Sequence, residues 1–383
     1  MYTENMTKVR EFLKQYWVVL MAILLGGIFR IVFLSSLPTS LTGDELVYVL
    51  NAKLFFLGSD FLDGWNPLLA FIFHYPPGIF PQAELPYLIS LLTSFSSSLF
   101  SIRLPYVVMS VGIIAILYFL GKELFEEKSA RWIAFVAAVN PWFIIMGRTS
   151  YEMTPATLFY LLGIYILLKA KKTTWYVLSF LFFLLGFYSY IGTKLVFLPV
   201  ILATCFYLYN KNKKQNKRLY VLYSIAALLV VMVSFLLLRL QPTTRLGEIY
   251  LPTNARIATQ VIETRQATIP FLGESLLLNK LTVYGENVLE KTIASFSLDT
   301  LFSHGDMFLG ISTHGLFYVI DLLFLLAGLV FVFRKEMRIG VFLVVLLVIG
   351  LIPQVLYKEV DLFTPHITFA IPIMVLVIGY GIA

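Results

Sequence analysis

Two adjacent carboxylates, Asp44 and Glu45 in the stretch LTGDELVYVL, are the first residues whose types suggest chemistry. A carboxylate beside an acceptor hydroxyl can take its proton as a new bond forms, which is general-base catalysis. The same stretch also reads as a helix start. Thr42 as N-cap and Glu45 at the third helical position complete a capping box, and acids in a first turn suit the helix dipole. Successive helical residues point about 100° apart. One acid can therefore cap while the other faces a cleft, and for Asp44 both roles stay open.

Further groups of this kind are scattered along the chain. Arg148 and Glu152 in GRTSYEMTP are spaced i, i+4, so on a helix they would pair, while at membrane depth such charges mark a substrate or ion pathway. Lys194 in YSYIGTKLVF opens an apolar run; it either snorkels to the interface or binds phosphate. Thr364 and Pro365 resemble an N-cap with Pro at N1. His366 then falls in a first turn whose N–H groups favour an anion, although a lone His is more often structural. His74 and Tyr75 sit in FIFHYPPG, where an interfacial aromatic belt with a proline-stiffened turn is the plain account. His304 and Asp306 belong to FSLDTLFSHGDMF, where a helix-terminating turn is the plain account.

No Walker A loop, HExxH, GxSxG or dinucleotide fingerprint is present, so nucleotide-driven chemistry is unsupported. The single cysteine, Cys205, lies in an apolar run and can form no intrachain disulfide, and no Cys/His spacing suggests a metal site.

The elements that must position these residues are membrane helices. Of 383 residues, 59% are hydrophobic and 13% charged, and the mean hydropathy is +0.85. The apolar residues fall in runs near the length that crosses a roughly 30 Å hydrocarbon layer, not in the short alternating segments of a β-barrel. The composition predicts an all-α polytopic membrane protein. About ten spans are expected, near 17–37, 101–120, 131–147, 154–169, 175–188, 192–209, 219–238, 314–333, 339–356 and 365–383. The first run lacks a cleavage pattern and reads as a retained span.

Seventeen of the 29 basic residues fall in five short segments, around Lys8–Lys14, Lys122–Arg131, Lys169–Lys172, Lys211–Arg218 and Arg334–Arg338. Short Lys/Arg-rich loops mark the cytoplasmic side. Both termini are therefore expected inside, and the net charge of +7 is a topology signal, with no nucleic-acid partner. Two long segments, about 38–100 and 239–313, then lie outside and are expected to carry helices along the membrane surface. The chemistry-bearing residues collect on that outer face of one domain, 1–383. The last span meets the C-terminus without a tail, so a longer natural protein is expected.

The ordered set GDELVYVLNAKLFF, HYPPGIFP, IRLPYVVMSVGIIAILYFLGKELFEEKSARWIAFVAAVNPWFIIMGRTSYE, FYSYIGTKLVFLPVIL, FSLDTLFSHGD and PHITFAIP resembles the integral-membrane GT-C glycosyltransferases. The resemblance is to the dolichyl-phosphate-mannose protein mannosyltransferase-like group (family 39). It implies transfer of a sugar, with inversion, from a polyprenyl-phosphate carrier at the outer face of the plasma (inner) membrane. The acceptor would be a glycan, a lipid or a protein. It implies Asp44 as base with Glu45 beside it, and His74, Tyr75, Arg103, Arg148, Glu152, Lys194, Asp306 and His366 as substrate-binding candidates. A phosphate leaving group needs cationic donors and no cofactor. No resident metal is expected, although Asp44, Glu152 and Asp306 could supply ligands for a divalent ion. The chain departs from the family pattern at Thr368, where relatives commonly have arginine, and in lacking their further spans and C-terminal domain. A lipid-linked glycan transporter is the alternative. It would be expected to place charges inside several spans, for which Arg30 is the main candidate. A non-catalytic scaffold is a third reading.

Overall fold

In the computed structural model, residues 2–56, 89–90, 93, 98–211, 217–239, 254–269, 273–305, 314–357 and 362–383 are described. The side chains of residues 2–15, of Asp44 and of residues 51–52, 54–56, 237–239 and 254–255 are outside that set. Among the described residues the chain is helical, with no β-strand. The first half comprises α1 (Tyr2–Ile31), α2 (Gly43–Phe56), α3 (Leu99–Leu124), α4 (Glu127–Val139), α5 (Pro141–Gly147), α6 (Met153–Lys169), α7 (Thr173–Phe187), α8 (Thr193–Lys211) and α9 (Lys217–Arg239). Then come α10 (Asn254–Ala267), α11 (Lys280–Ser295), α12 (Asp321–Lys335), α13 (Met337–Gly350), α14 (Ile352–Leu356) and α15 (Ile371–Ile382).

Each expected span falls on a helix, but several helices are short. Four described helices are long and apolar enough to cross a membrane: Leu99–Leu124, Thr193–Lys211, Lys217–Leu236 and Met337–Leu356. Counting α4 and α5 as one bent span makes five. The expected span 314–333 begins as a helix only at Asp321, whose carboxylate accepts from Tyr318 N–H at 3.0 Å. Residues 316–317 instead bond along residues 300–301, with Phe317 N–H to Leu301 O at 2.8 Å. The expected last span opens with a 3₁₀ turn, Thr364–Ile367, before α15.

The bundle is built round α4, which packs against α1, α3 and α15. Small residues allow this. Ala130, Ala134, Ala137 and Ala138 are fully buried, and a Cβ on Gly379 of α15 would stand 2.6 Å from Ile133 Cα. Small residues at the contact let membrane helices approach closely, where hydrophobic burial alone gives little drive. On α9, Leu222, Leu229 and Leu236 are exposed at seven-residue intervals, the stripe of a helix facing an apolar surround.

The join of α4 and α5 bends by 56°. Pro141 has no N–H to return to Ala137 O, so the break leaves helix-end carbonyls exposed to an apolar core. Arg30, fully buried, supplies donors: Nη2 to Ala137 O at 3.4 Å and Nη1 to Ala138 O at 3.0 Å. Tyr318 Oη donates to Val139 O at 3.1 Å. Asn140 caps α5 by accepting from Phe143 N–H at 3.0 Å and donates through Nδ2 to Leu316 O at 3.1 Å. Arg30 Nε also donates to Ser110 Oγ at 2.7 Å, and Nη1 to Gly26 O at 2.8 Å. The mid-span charge expected of a transport pathway is thus a clip across a broken helix.

Candidate functional site

At one end of the bundle α2, α3, α6 and α8 begin and α5, α7 and α14 end. Short connections gather their terminal residues there. The capping box forms as the spacing predicts: Thr42 N–H donates to Glu45 Oε2 at 2.9 Å and Glu45 N–H to Thr42 Oγ1 at 3.4 Å. The Glu45 carboxylate does more than cap. Arg103 Nε meets Oε1 at 3.1 Å and Nη2 meets Oε2 at 3.2 Å, and Ser150 N–H donates to Oε1 at 2.8 Å. Both charged side chains are fully buried. Such a pair offsets its desolvation only when the remaining donors and acceptors are also satisfied. Here Arg103 Nη1 reaches Pro38 O at 2.9 Å and Leu34 O at 3.4 Å, and Nη2 reaches Ser40 O at 2.8 Å.

Arg148 completes the same wrapping. Its Nη1 donates to Phe29 O at 2.7 Å and Val32 O at 2.8 Å, and Nη2 to Leu37 O at 3.1 Å. Burial and the neighbouring Arg103 guanidinium hold it below the ordinary arginine value. The chain from residue 29 to residue 40 therefore lies over two guanidinium groups, and α2 is delivered with Asp44 in its first turn.

The helical pairing of Arg148 with Glu152 does not form. Helix α5 stops at Gly147 and α6 starts at Met153, so residues 148–152 lack the i, i+4 geometry. Glu152 is buried and accepts from Tyr48 Oη. Tyr48 follows Asp44 by four residues on α2, which puts both on one face. Lys194, buried in the first turn of α8, lies over the rings of Phe187 and Tyr188, at 5.3 and 5.8 Å from their centroids. His366 is buried among Tyr357, Phe363 and Tyr190, with ring centroids at 4.5, 4.8 and 6.4 Å.

Helix α6 joins the two groups. Glu152 stands at its N-cap. Thr157 Oγ1 lies 3.4 Å from Thr368 Oγ1, and Tyr160 Oη donates to Thr193 O at 2.9 Å. The carboxylates of Glu45 and Glu152 and, on the α8 side, the Lys194 ammonium and the His366 ring thus share one end of the bundle. Below Lys194, an apolar cavity of about 750 Å³ opens between α8, α9 and α13, lined by Leu198, Leu202, Phe206, Leu228 and Val345 among others. Leu198 follows Lys194 by one turn of α8, and Leu202 and Phe206 continue at four-residue intervals, turning progressively toward the exposed side of the helix.

His74, Tyr75 and Asp306 lie outside the described residues. His304 is exposed, with Nδ1 2.5 Å from Asp299 Oδ1. No three His, Cys, Asp or Glu side chains cluster among the described residues; of the three carboxylates able to hold a divalent ion, only the Glu152 side chain is among them. Three contributors escaped the sequence. Tyr48 carried a signal in its spacing from Asp44. The Ser150 N–H carried none, because any residue offers one. Lys291, buried on α11 with its ammonium on Tyr357 O, sits in a polar helical pattern that reads as solvated.

Three comparisons bear on this arrangement. The sequence family described as dolichyl-phosphate-mannose-protein mannosyltransferase matches residues 84–237. The candidate mannosyltransferase YkcB of Bacillus subtilis is 30% identical over 132 residues, which is 34% of this chain and 18% of YkcB. The oligosaccharyltransferase of Archaeoglobus fulgidus, solved with a tethered acceptor peptide containing the NVT sequon, superposes with a TM-score of 0.54 at 16% identity. That match covers 97% of this chain and 49% of the archaeal one. The archaeal oligosaccharyltransferase AglB from Archaeoglobus fulgidus, in complex with an inhibitory peptide and a dolichol-phosphate, gives 0.55 at 15% identity, covering 96% and 50%. The chain therefore shares its fold with the membrane portion these matches cover and spans about half the length of these solved structures.

Proposed function

We propose that the chain is a glycosyltransferase that moves a hexose, with mannose the first candidate, from a polyprenyl-phosphate carrier to a glycan, lipid or protein acceptor. Transfer takes place with inversion at the outer face of the plasma membrane, with both termini inside. The observation that carries this is the first turn of α2: the Glu45–Arg103 pair and the Ser150 N–H lock it at the bundle end that also holds Lys194 and His366. The family match over residues 84–237 and a fold shared with an enzyme solved with dolichol-phosphate support the substrate class.

In this reading Asp44 takes the proton of the acceptor hydroxyl as that oxygen bonds the anomeric carbon. The bond from the anomeric carbon to the phosphate oxygen breaks, and its electrons leave with the polyprenyl phosphate. Lys194 faces the developing phosphate charge, where preorganised donors contribute most, and His366 closes the same side. The carrier's tail descends along α8 into the apolar cavity beneath Lys194. Glu45, Arg103 and Arg148 hold the backbone that presents Asp44; Glu152, through Tyr48, lines the acceptor side with His74, Tyr75 and Asp306. No cofactor takes part.

Purified protein in liposomes, supplied with polyprenyl-phosphate-linked mannose, glucose or another hexose and a mixed acceptor pool, tests the proposal. Label moving from carrier to acceptor supports it. Label that crosses the bilayer still attached to its carrier favours the transporter instead.

A further inference from the structure

Lysine is almost never fully buried unless its charge is paired. Lys291 on α11 is 3% exposed. Its ammonium donates to the backbone carbonyl of Tyr357, just past the end of the span Met337–Leu356. There the last carbonyls of a helix carry partial negative charge. The Tyr357 ring meets His366 edge-on at 4.5 Å and 69°. Phe363 also meets His366 edge-on, at 4.8 Å and 72°, with its ring 6.1 Å from that of Tyr357, and its N–H is held by the buried Gln354 Oε1 at 3.2 Å. The backbone carbonyl of Tyr357 is thus held by Lys291 while its ring packs on His366. Helix α11 does not come alone: Val283 packs with Ile257 and Val261 of α10, and Asn287 Nδ2 donates to Gln260 Oε1 at 3.0 Å. The α10–α11 unit belongs to the long segment between α9 and α12, and Lys291 ties it to the wall of His366.

We infer that Lys291 is a positioning residue for donor binding: by holding Tyr357 O it sets the Tyr357 ring that keeps His366 in place, and it latches the α10–α11 unit over that side. This rests on the proposed role of the α8 side as the donor-phosphate site. It separates donor from acceptor. Loss of Lys291 weakens donor binding, while the Asp44 side, built on α2, α3 and the 148–152 turn, is untouched.

The test compares native protein, Lys291→Met, Lys291→Arg, Tyr357→Leu and the Lys291→Met/Tyr357→Leu pair, in reconstituted transfer from polyprenyl-phosphate mannose. Lys291→Met should raise the donor KM about tenfold, the effect of one lost charge-assisted hydrogen bond, with kcat and the acceptor KM unchanged. Lys291→Arg should restore most of it, and the double variant should be no worse than either single one. An unchanged donor KM in Lys291→Met, or a rise confined to the acceptor KM, overturns the proposal, as does strict additivity in the double variant. Limited proteolysis at Arg265 and Lys280, run on the same samples, reads the latch without activity and covers a variant that folds poorly. Faster cleavage in Lys291→Met than in native protein, with Lys291→Arg at the native rate, is expected. Equal rates overturn the latch. If the native protein transfers nothing while the proteolytic difference is present, the proposed function fails and the latch stands.

Discussion

Glu45 and Arg103, 58 residues apart in sequence, meet in a buried two-point pair, Nε to Oε1 at 3.1 Å and Nη2 to Oε2 at 3.2 Å. The pair fastens the first turn of α2 to the first turns of α3, and Ser150 N–H adds the turn before α6. Removing one partner of such a pair strands a buried charge, at a cost of about 3–5 kcal/mol. Glu45→Gln and Arg103→Met should each lower the thermal unfolding midpoint in detergent well below the native value. The combined variant should lose less than the two losses added. A donor KM effect with native stability in Arg103→Met would make that guanidinium a phosphate ligand instead.

Arg30 closes the 56° break between α4 and α5. Arg30→Met leaves the carbonyls of Ala137 and Ala138 without those donors, at about 1–3 kcal/mol for each orphaned group. The expected result is a destabilised protein in a denaturant series, with Arg30→Lys in between. A stable Arg30→Met protein would show that water or relaxation satisfies the break.

Much of this end of the molecule was legible in the sequence, and the limits are physical. The capping box at Thr42 and Glu45 depends on neighbours three residues apart, so spacing alone found it. The partners of Arg148 were misjudged because i, i+4 pairing requires a continuous helix, and the helix breaks between Gly147 and Met153. Arg30 looked like a pathway charge because nothing local shows that Pro141, 111 positions on, leaves carbonyls facing it. The late start of α12 reflects pairing of residues 316–317 with residues 300–301, a tertiary choice that hydropathy does not encode.

Gly147 ends α5 where no side chain fits. A Cβ there would lie 2.4 Å from Ser110 Oγ and 3.2 Å from Arg30 Cδ. Gly147→Ala should destabilise by about 1–3 kcal/mol through overpacking, seen as a lowered unfolding midpoint. Gly27→Ala, with open space at its Cβ, should leave the midpoint near native.

Lys194 stands above the apolar cavity on α8. Lys194→Met should raise the KM for a polyprenyl-phosphate donor about tenfold or more, the loss of one charge-assisted contact, with the acceptor KM unchanged. Lys194→Arg, which keeps the charge, should keep most of the affinity. Steady-state kinetics with each substrate varied in turn measures both.

In the proposed reaction the first turn of α2 presents Asp44 as the base. The most direct test follows labelled sugar from a polyprenyl-phosphate donor in reconstituted membranes, with native protein and Asp44→Asn, while donor binding is measured in parallel. A fall in transfer of about 10²–10⁴-fold with donor binding intact is the predicted result. Equal transfer by the two proteins would contradict it and leave Asp44 a residue of the helix start alone.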